Sequence, residues 1–235
     1  MMSNIKNKQT KEERVLFQKA KEFIHLHKYK QAEEIIATLI QQEMNNAEPF
    51  YLMALIKERR GMYTEQIEFL GKALIISPCS SEFLIEIAYA HLKLGHFSES
   101  FQYANITRNN KNNSIEICTL LGRIYHELGK YNESVTAYKE AIELSNDDHY
   151  LLYSYGTVLT LSGKIKESIE AYQQAIKIAP SFGLAYAALS KARKSTINEN
   201  NIEKLKLLVI EDRNPWTGIN IHHGLAKEYD DLGQY

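Results

Sequence analysis

The chain has few of the residues that staple, break or anchor a fold. Cys79 and Cys118 are the only cysteines in 235 residues. That is too few for a disulfide framework, and a reduced, cytoplasmic protein is the expectation. Proline occurs four times, with Pro78 and Pro180 at the ends of periodic segments. No run of about 18 apolar residues exists, so a membrane partner is not expected. The polar start from Met1 to Arg14, with Lys6, Lys8 and Lys11, lacks the apolar stretch of a secretion signal. Charge of one sign is also missing: 28 basic against 29 acidic residues leave a net charge of -1, without the basic footprint of a nucleic-acid binder. Apolar residues, by contrast, make up 44%, ample for a packed core.

Those residues follow a long period. Gly61, Gly95, Gly129 and Gly163 are spaced 34 residues apart, and His27 holds the preceding place on the same comb. Two residues after each stands Tyr29, Tyr63, Phe97, Tyr131 or Ile165. A 34-residue period with two amphipathic helices per unit marks a stacked helical-repeat array. Numbering each unit so that the comb residue is the fifteenth, repeats start at 13, 47, 81, 115 and 149, and the first helix of a sixth at 183. The eighth position is always small: Ala20, Ala54, Ala88, Gly122, Gly156. Short side chains let two helices approach, so this column predicts where a first helix meets its partner. Large apolar groups at the fourth and seventh positions, such as Leu84 with Ile87, complete one apolar face. Glycine at the fifteenth suits the left-handed end of a helix.

Segments such as Leu121-Gly122-Arg123-Ile124-Tyr125, Gly129-Lys130-Tyr131, Tyr138 and Ala141 resemble the tetratricopeptide repeat, and so do Gly156, Gly163, Tyr172, Ala175 and Pro180. The resemblance covers residues 13–194 without insertion. It implies an all-α solenoid, a right-handed superhelix of helix-turn-helix repeats, behind a polar tail at 1–12. Departures occur at the eleventh position, where Lys57, His91 and Leu159 replace the usual Tyr, and at Asn112 and Asn146, which replace the closing Pro. These are expected to loosen single repeats without shifting the phase.

After residue 194 the comb fails, with Ile197 in place of Gly. Asn200 and Glu203 read as an N-cap with a reciprocal acid, opening a short helix over about 201–212. Asn214-Pro215 ends it, and Leu225, Ala226, Tyr229 and Gly233 announce another first helix. Residues 195–235 are thus a modified repeat and a truncated final one, expected to lead into a missing C-terminal region or to be masked by a partner. The stretch Leu189–Tyr235, ending Asp230-Asp231-Leu232-Gly233-Gln234-Tyr235, resembles the junction in bacterial tetratricopeptide proteins fused to a sulfotransferase domain. That resemblance implies a parent enzyme transferring a sulfuryl group from a phosphoadenosine donor, with the array recruiting its substrate.

Catalysis within the chain has no foothold. Gly156 to Gly163-Lys164 is spaced wrongly for a phosphate loop. His222-His223 and His25-x-His27 cannot aim two rings at one ion from one helix, so no metal and no cofactor is expected. Cys118 sits in a core column, and no Gly-x-Ser-x-Gly elbow exists. The remaining candidate is a peptide-binding groove. In the resembled family, the second, fifth, ninth and twelfth positions of first helices line the inner face. Here these include Phe17, Tyr51, Ile85 and Tyr153 at the fifth, and Leu55, Tyr89 and Arg123 at the ninth. The second holds Glu82, Glu116 and Tyr150, with Glu86 one turn beyond Glu82. Aromatic and Arg side chains anchor extended ligands, and the acids suit a basic ligand, although first-turn acids also complement the helix dipole. Phe17 with Lys21, Tyr51 with Leu55 and Ile85 with Tyr89 stand where a chaperone-tail receptor would need its carboxylate clamp, which argues against that function. The expected partner is a protein or peptide, with a homodimer through the terminal half-repeat as a further expectation.

Overall fold

Each helical hairpin closes in the same way. The comb residue adopts a left-handed conformation, with φ of 57° at His27, 70° at Gly61, 76° at Gly95, 69° at Gly129, 80° at Gly163 and 66° at Gly233. At every one, its N–H bonds three residues back and the next N–H bonds five residues back, as in Gly61 to Glu58 and Met62 to Lys57. This pair of bonds satisfies carbonyls that the helix end would otherwise strand. His27 is the one comb residue with a Cβ, and its Nδ1 lies 2.8 Å from the Tyr29 hydroxyl.

The structure, a computed structural model, describes residues 2–42, 45–110, 114–145, 147–211 and 214–234, with side chains from Glu12 onward. Among them thirteen helices follow in order. They are α1 (Met2–His25), α2 (Tyr29–Gln41), α3 (Glu48–Arg59), α4 (Tyr63–Ile76), α5 (Ser81–Lys93), α6 (Phe97–Asn109), α7 (Ile115–Glu127), α8 (Tyr131–Leu144), α9 (His149–Leu161), α10 (Ile165–Ile178), α11 (Gly183–Ala192), α12 (Ile202–Glu211) and α13 (Pro215–Asp231). α1 begins at Met2, so the segment 1–12 read as a tail is largely helical. Two units divide the chain, residues 1–113 with α1–α6 and residues 114–235 with α7–α13. Asn112 and Asn146 lie outside the described residues.

The eighth-position column is where paired helices touch. A Cβ on Gly122 would stand 2.8 Å from the Tyr138 ring, and one on Gly156 would stand 2.6 Å from Tyr172. Where the eighth residue is Ala, the corresponding residue of the second helix is smaller: Ile36, Leu70 and Ala104, all fully buried. The bare backbone of Gly122 also lets the Ser134 hydroxyl donate to its carbonyl at 2.6 Å.

Each eleventh-position departure makes a contact of its own. Lys57 bridges Glu65 at 2.9 Å and Glu33 at 3.3 Å, and Arg60 grips Glu33 with two nitrogens at 2.8 and 3.0 Å. His91 stacks on Tyr103 with centroids 5.6 Å apart and shares a hydrogen bond with His96. Leu159 is fully buried.

Unit two ends in an altered module. Asn200 caps α12 through the Ile202 N–H, but the expected reciprocal acid, Glu203, pairs with Lys206 instead. α13 runs parallel to α11, as a first helix should. Gly183 meets Ile221, Ala187 meets Gly224, and Ser190 meets Glu228 in ascending order. Glu228 is fully buried and also accepts from the Asn201 amide at 3.1 Å.

Gly122→Ala should cost about 1–3 kcal/mol, because its methyl overlaps the Tyr138 ring. Adding Tyr138→Leu recreates the Ala54–Leu70 pairing and should recover most of that loss. A double-mutant cycle by urea denaturation checks this, and simple additivity would contradict it.

Candidate functional site

In unit one the first helices α1, α3 and α5 share a face, and α3 is its middle wall. Between them opens a cavity of about 960 Å³. Ile24, Leu52, Leu55, Ile76 and Phe83 supply apolar lining, and Lys21, His25, Glu48, Tyr51, Arg59 and Glu82 supply polar groups. Apolar and polar side chains thus share the lining.

Tyr51 is the hinge of this surface. Its ring packs on Phe83 with centroids 5.2 Å apart, which follows from facing fifth and third positions on neighbouring first helices. Burial, the charge of Glu82 and a hydrogen bond to Glu82 push its phenol far above the ordinary tyrosine range, with Glu86 and Glu58 adding to the effect. The phenol therefore keeps its proton and donates it to the Glu82 carboxylate. Glu86 in turn accepts from the Gln66 amide at 3.4 Å. Gln66 is buried at a position that is Ala or Ser in the other repeats, and its Oε1 has no partner among the described residues. Glu48 is joined to Lys21 across α1 and α3 at 2.6 Å.

Tyr51, Leu55 and Glu82 therefore come together in one cavity, with Glu86 beside them. The other expected groove residues are placed differently. Phe17 packs half-buried against the core of α1 and α2. Ile85 is 2% exposed and belongs to the core, with no side-chain surface for a ligand, because its turn of α5 is closed in by its neighbours. Tyr89 lies under the Lys93 ammonium, 5.0 Å from its ring centre.

Unit two holds the remaining four. Tyr153 lines a smaller cavity of about 220 Å³ with Thr157, Tyr172, Leu184 and Lys191. Tyr150 is 61% exposed and stacks edge-on against Phe182, which also contacts Tyr153. Arg123 is exposed on α7. The Glu116 carboxyl is held below its ordinary value, first by the Ser114 hydroxyl and then by its own backbone amide, so it serves the start of α7. The acids at second positions thus divide into a paired Glu48, a Tyr51-bound Glu82 and a helix-capping Glu116. Among the described residues no group of three or more His, Cys, Asp or Glu side chains is arranged to hold a metal ion, and no helix is long and apolar enough to cross a membrane.

Sequence columns missed Phe83, His25 and Arg59. Phe83 occupies a third position, which the inner-face columns do not include. His25, Arg59 and Lys93 form a basic column at the thirteenth position, a signal that was present in the sequence.

Two family models match the chain: the TPR repeat at residues 122–160 and the tetratricopeptide repeat at residues 149–182. Tetratricopeptide repeats are thus present in the chain. No curated relative matches it. Among solved structures, PilF from Pseudomonas aeruginosa is similar with a TM-score of 0.67 at 12% identity, covering 95% of this chain and 94% of that one. YrrB, described as a TPR protein with an unusual peptide-binding site, gives 0.60 at 14% identity, covering 85% and 93%. MamA from Desulfovibrio magneticus RS-1 gives 0.57 at 15% identity, covering 78% and 93%. The fold is that of the TPR α-solenoids.

The charge network behind the cavity holds α3 between α2 and α4. Hydrogen bonds to Glu65 and Glu33 raise the Lys57 ammonium above its ordinary value of 10.5, against the opposing effect of burial. A raised lysine stabilises the fold fully below its unfolded value and ceases to do so as pH rises through the folded one. Lys57→Met should therefore cost about 1 kcal/mol at pH 7. The difference from wild type should shrink as pH rises through the raised folded-state value of this lysine, as read by urea denaturation at a series of alkaline pH values.

Proposed function

We propose that this chain is a non-catalytic scaffold that binds a protein or peptide segment in the cavity of unit one. Tyr51, Leu55 and Glu82 are its main anchors. The observation that carries this reading is the meeting of these three side chains around one open cavity of mixed apolar and polar lining on the face formed by first helices. An extended segment laid there meets aliphatic side chains, the paired rings of Tyr51 and Phe83 and carboxylates, a combination suited to peptide grooves. YrrB, of similar fold, is itself described as having a peptide-binding site, which supports the reading by analogy.

A narrower reading makes the array the substrate-recruiting part of a sulfotransferase. It rests on the resemblance of Leu189–Tyr235 alone, and the coding sequence beyond Tyr235 decides it. Self-association through the last helices draws on the exposure of Ile210 at 80%, Trp216 at 78% and Ile219 at 53%. Light scattering across a concentration series tests that reading.

Combining Tyr51→Ala with Leu55→Ala should weaken capture from a random peptide library at least tenfold, about 1.4 kcal/mol. Far-UV circular dichroism should stay unchanged. Equal capture by the double variant would count against the groove.

A further inference from the structure

The cavity of unit one is electrically polarised along α3, and the cause lies in the topology. Acids favour helix N-termini and bases favour C-termini, because each complements the helix dipole. Successive hairpins reverse the chain twice per repeat, so α1, α3 and α5 run parallel. Their dipole-matched charges therefore collect at opposite ends of one face. Glu48 and Glu82 stand in the first turns of α3 and α5, while His25 and Arg59 stand in the last turns of α1 and α3. All four line the cavity. Glu48 is engaged by Lys21, and Glu82 is steadied by Tyr51. Arg59 is exposed and has no ion-pair partner among the described residues. Tyr51, Leu55 and Arg59 follow at intervals of four residues and form a single stripe down α3. From Tyr51 to Arg59 is eight residues, about 12 Å at 1.5 Å each.

We propose that the cavity selects a peptide segment of mixed charge, with a Lys or Arg seated against Glu82, an aliphatic residue over Leu55, and an Asp or Glu against Arg59. An extended chain advances about 3.3–3.6 Å per residue, so the two charges stand about four residues apart. This inference rests on the groove reading above and narrows it to a ligand class. The alternative is that each charge serves only its own helix dipole. Ligand charge would then be irrelevant, whereas shared lining of one cavity makes it matter.

The test uses the full chain and three end-blocked, fluorescein-labelled pentapeptides at low salt, read by fluorescence anisotropy. They are Lys-Ala-Leu-Ala-Glu, Lys-Ala-Leu-Ala-Lys and Glu-Ala-Leu-Ala-Glu. Wild type should bind the first about tenfold more tightly than either other. Arg59→Glu should transfer the preference to the doubly basic peptide, and Glu82→Arg to the doubly acidic one. Both positions are exposed, and matching thermal melts establish that the variants fold. Arg59→Gln and Glu82→Gln, which only neutralise, should flatten the preference. Equal binding of all three peptides to wild type overturns the polarity, and so does a preference that fails to move with the charge reversals. In either case the groove itself stands if Leu55→Ala weakens all three peptides alike. Binding of none of the three, together with library capture unaffected by the Tyr51 and Leu55 substitutions, overturns both readings.

Discussion

The left-handed residue that closes each first helix is the constraint on which the rest of the architecture depends. It reverses the chain within three residues and satisfies two otherwise stranded carbonyls with a fixed pair of hydrogen bonds. Because that reversal repeats every 34 residues, each second helix returns along the same flank of its first. The eighth position then always faces the same column of the partner helix. Gly122 under Tyr138 and Ala54 beside Leu70 are two solutions to one spacing. A larger residue in one helix demands a smaller one in the other, as close packing requires.

Most of this was legible in the sequence, for a physical reason. The turn residue and the contact residue are each restricted to a few side chains by backbone conformation or by space, so they recur visibly. The terminal module was legible in part. Asn200 marked a helix start because its side chain acts locally, whereas Asn214-Pro215, read as the end of one helix, caps and opens the next. The direct contact of Gly224 with Ala187 was not, since it depends on how far the short α12 separates its neighbours. Nor was the use of Lys57, whose partners Glu33 and Glu65 lie on two other helices.

The site was less legible than the fold. Column positions grouped Tyr51, Leu55 and Glu82, which line one cavity, but the same rule included Ile85, which the core absorbs. A column states which way a residue points on an ideal helix. Whether solvent reaches it depends on the girth of the side chains beside it. Charges raise a similar difficulty, because Glu82 and Glu116 share a column and do different work. One meets a phenol on the neighbouring helix, and the other meets only the start of its own.

Gln66 gives unit one a property that its stacking alone would not. The other repeats place Ala or Ser there, and the second repeat instead buries an amide whose oxygen has no partner among the described residues and whose nitrogen reaches Glu86. Hydrogen bonds from Tyr51 to Glu82 and from Gln66 to Glu86 restrict two flexible side chains within the fold itself. Rotamer freedom already surrendered during folding is not surrendered again on association. An unpartnered buried oxygen is a cost to the second repeat, and the same Gln66 side chain fixes Glu86 as part of the fold.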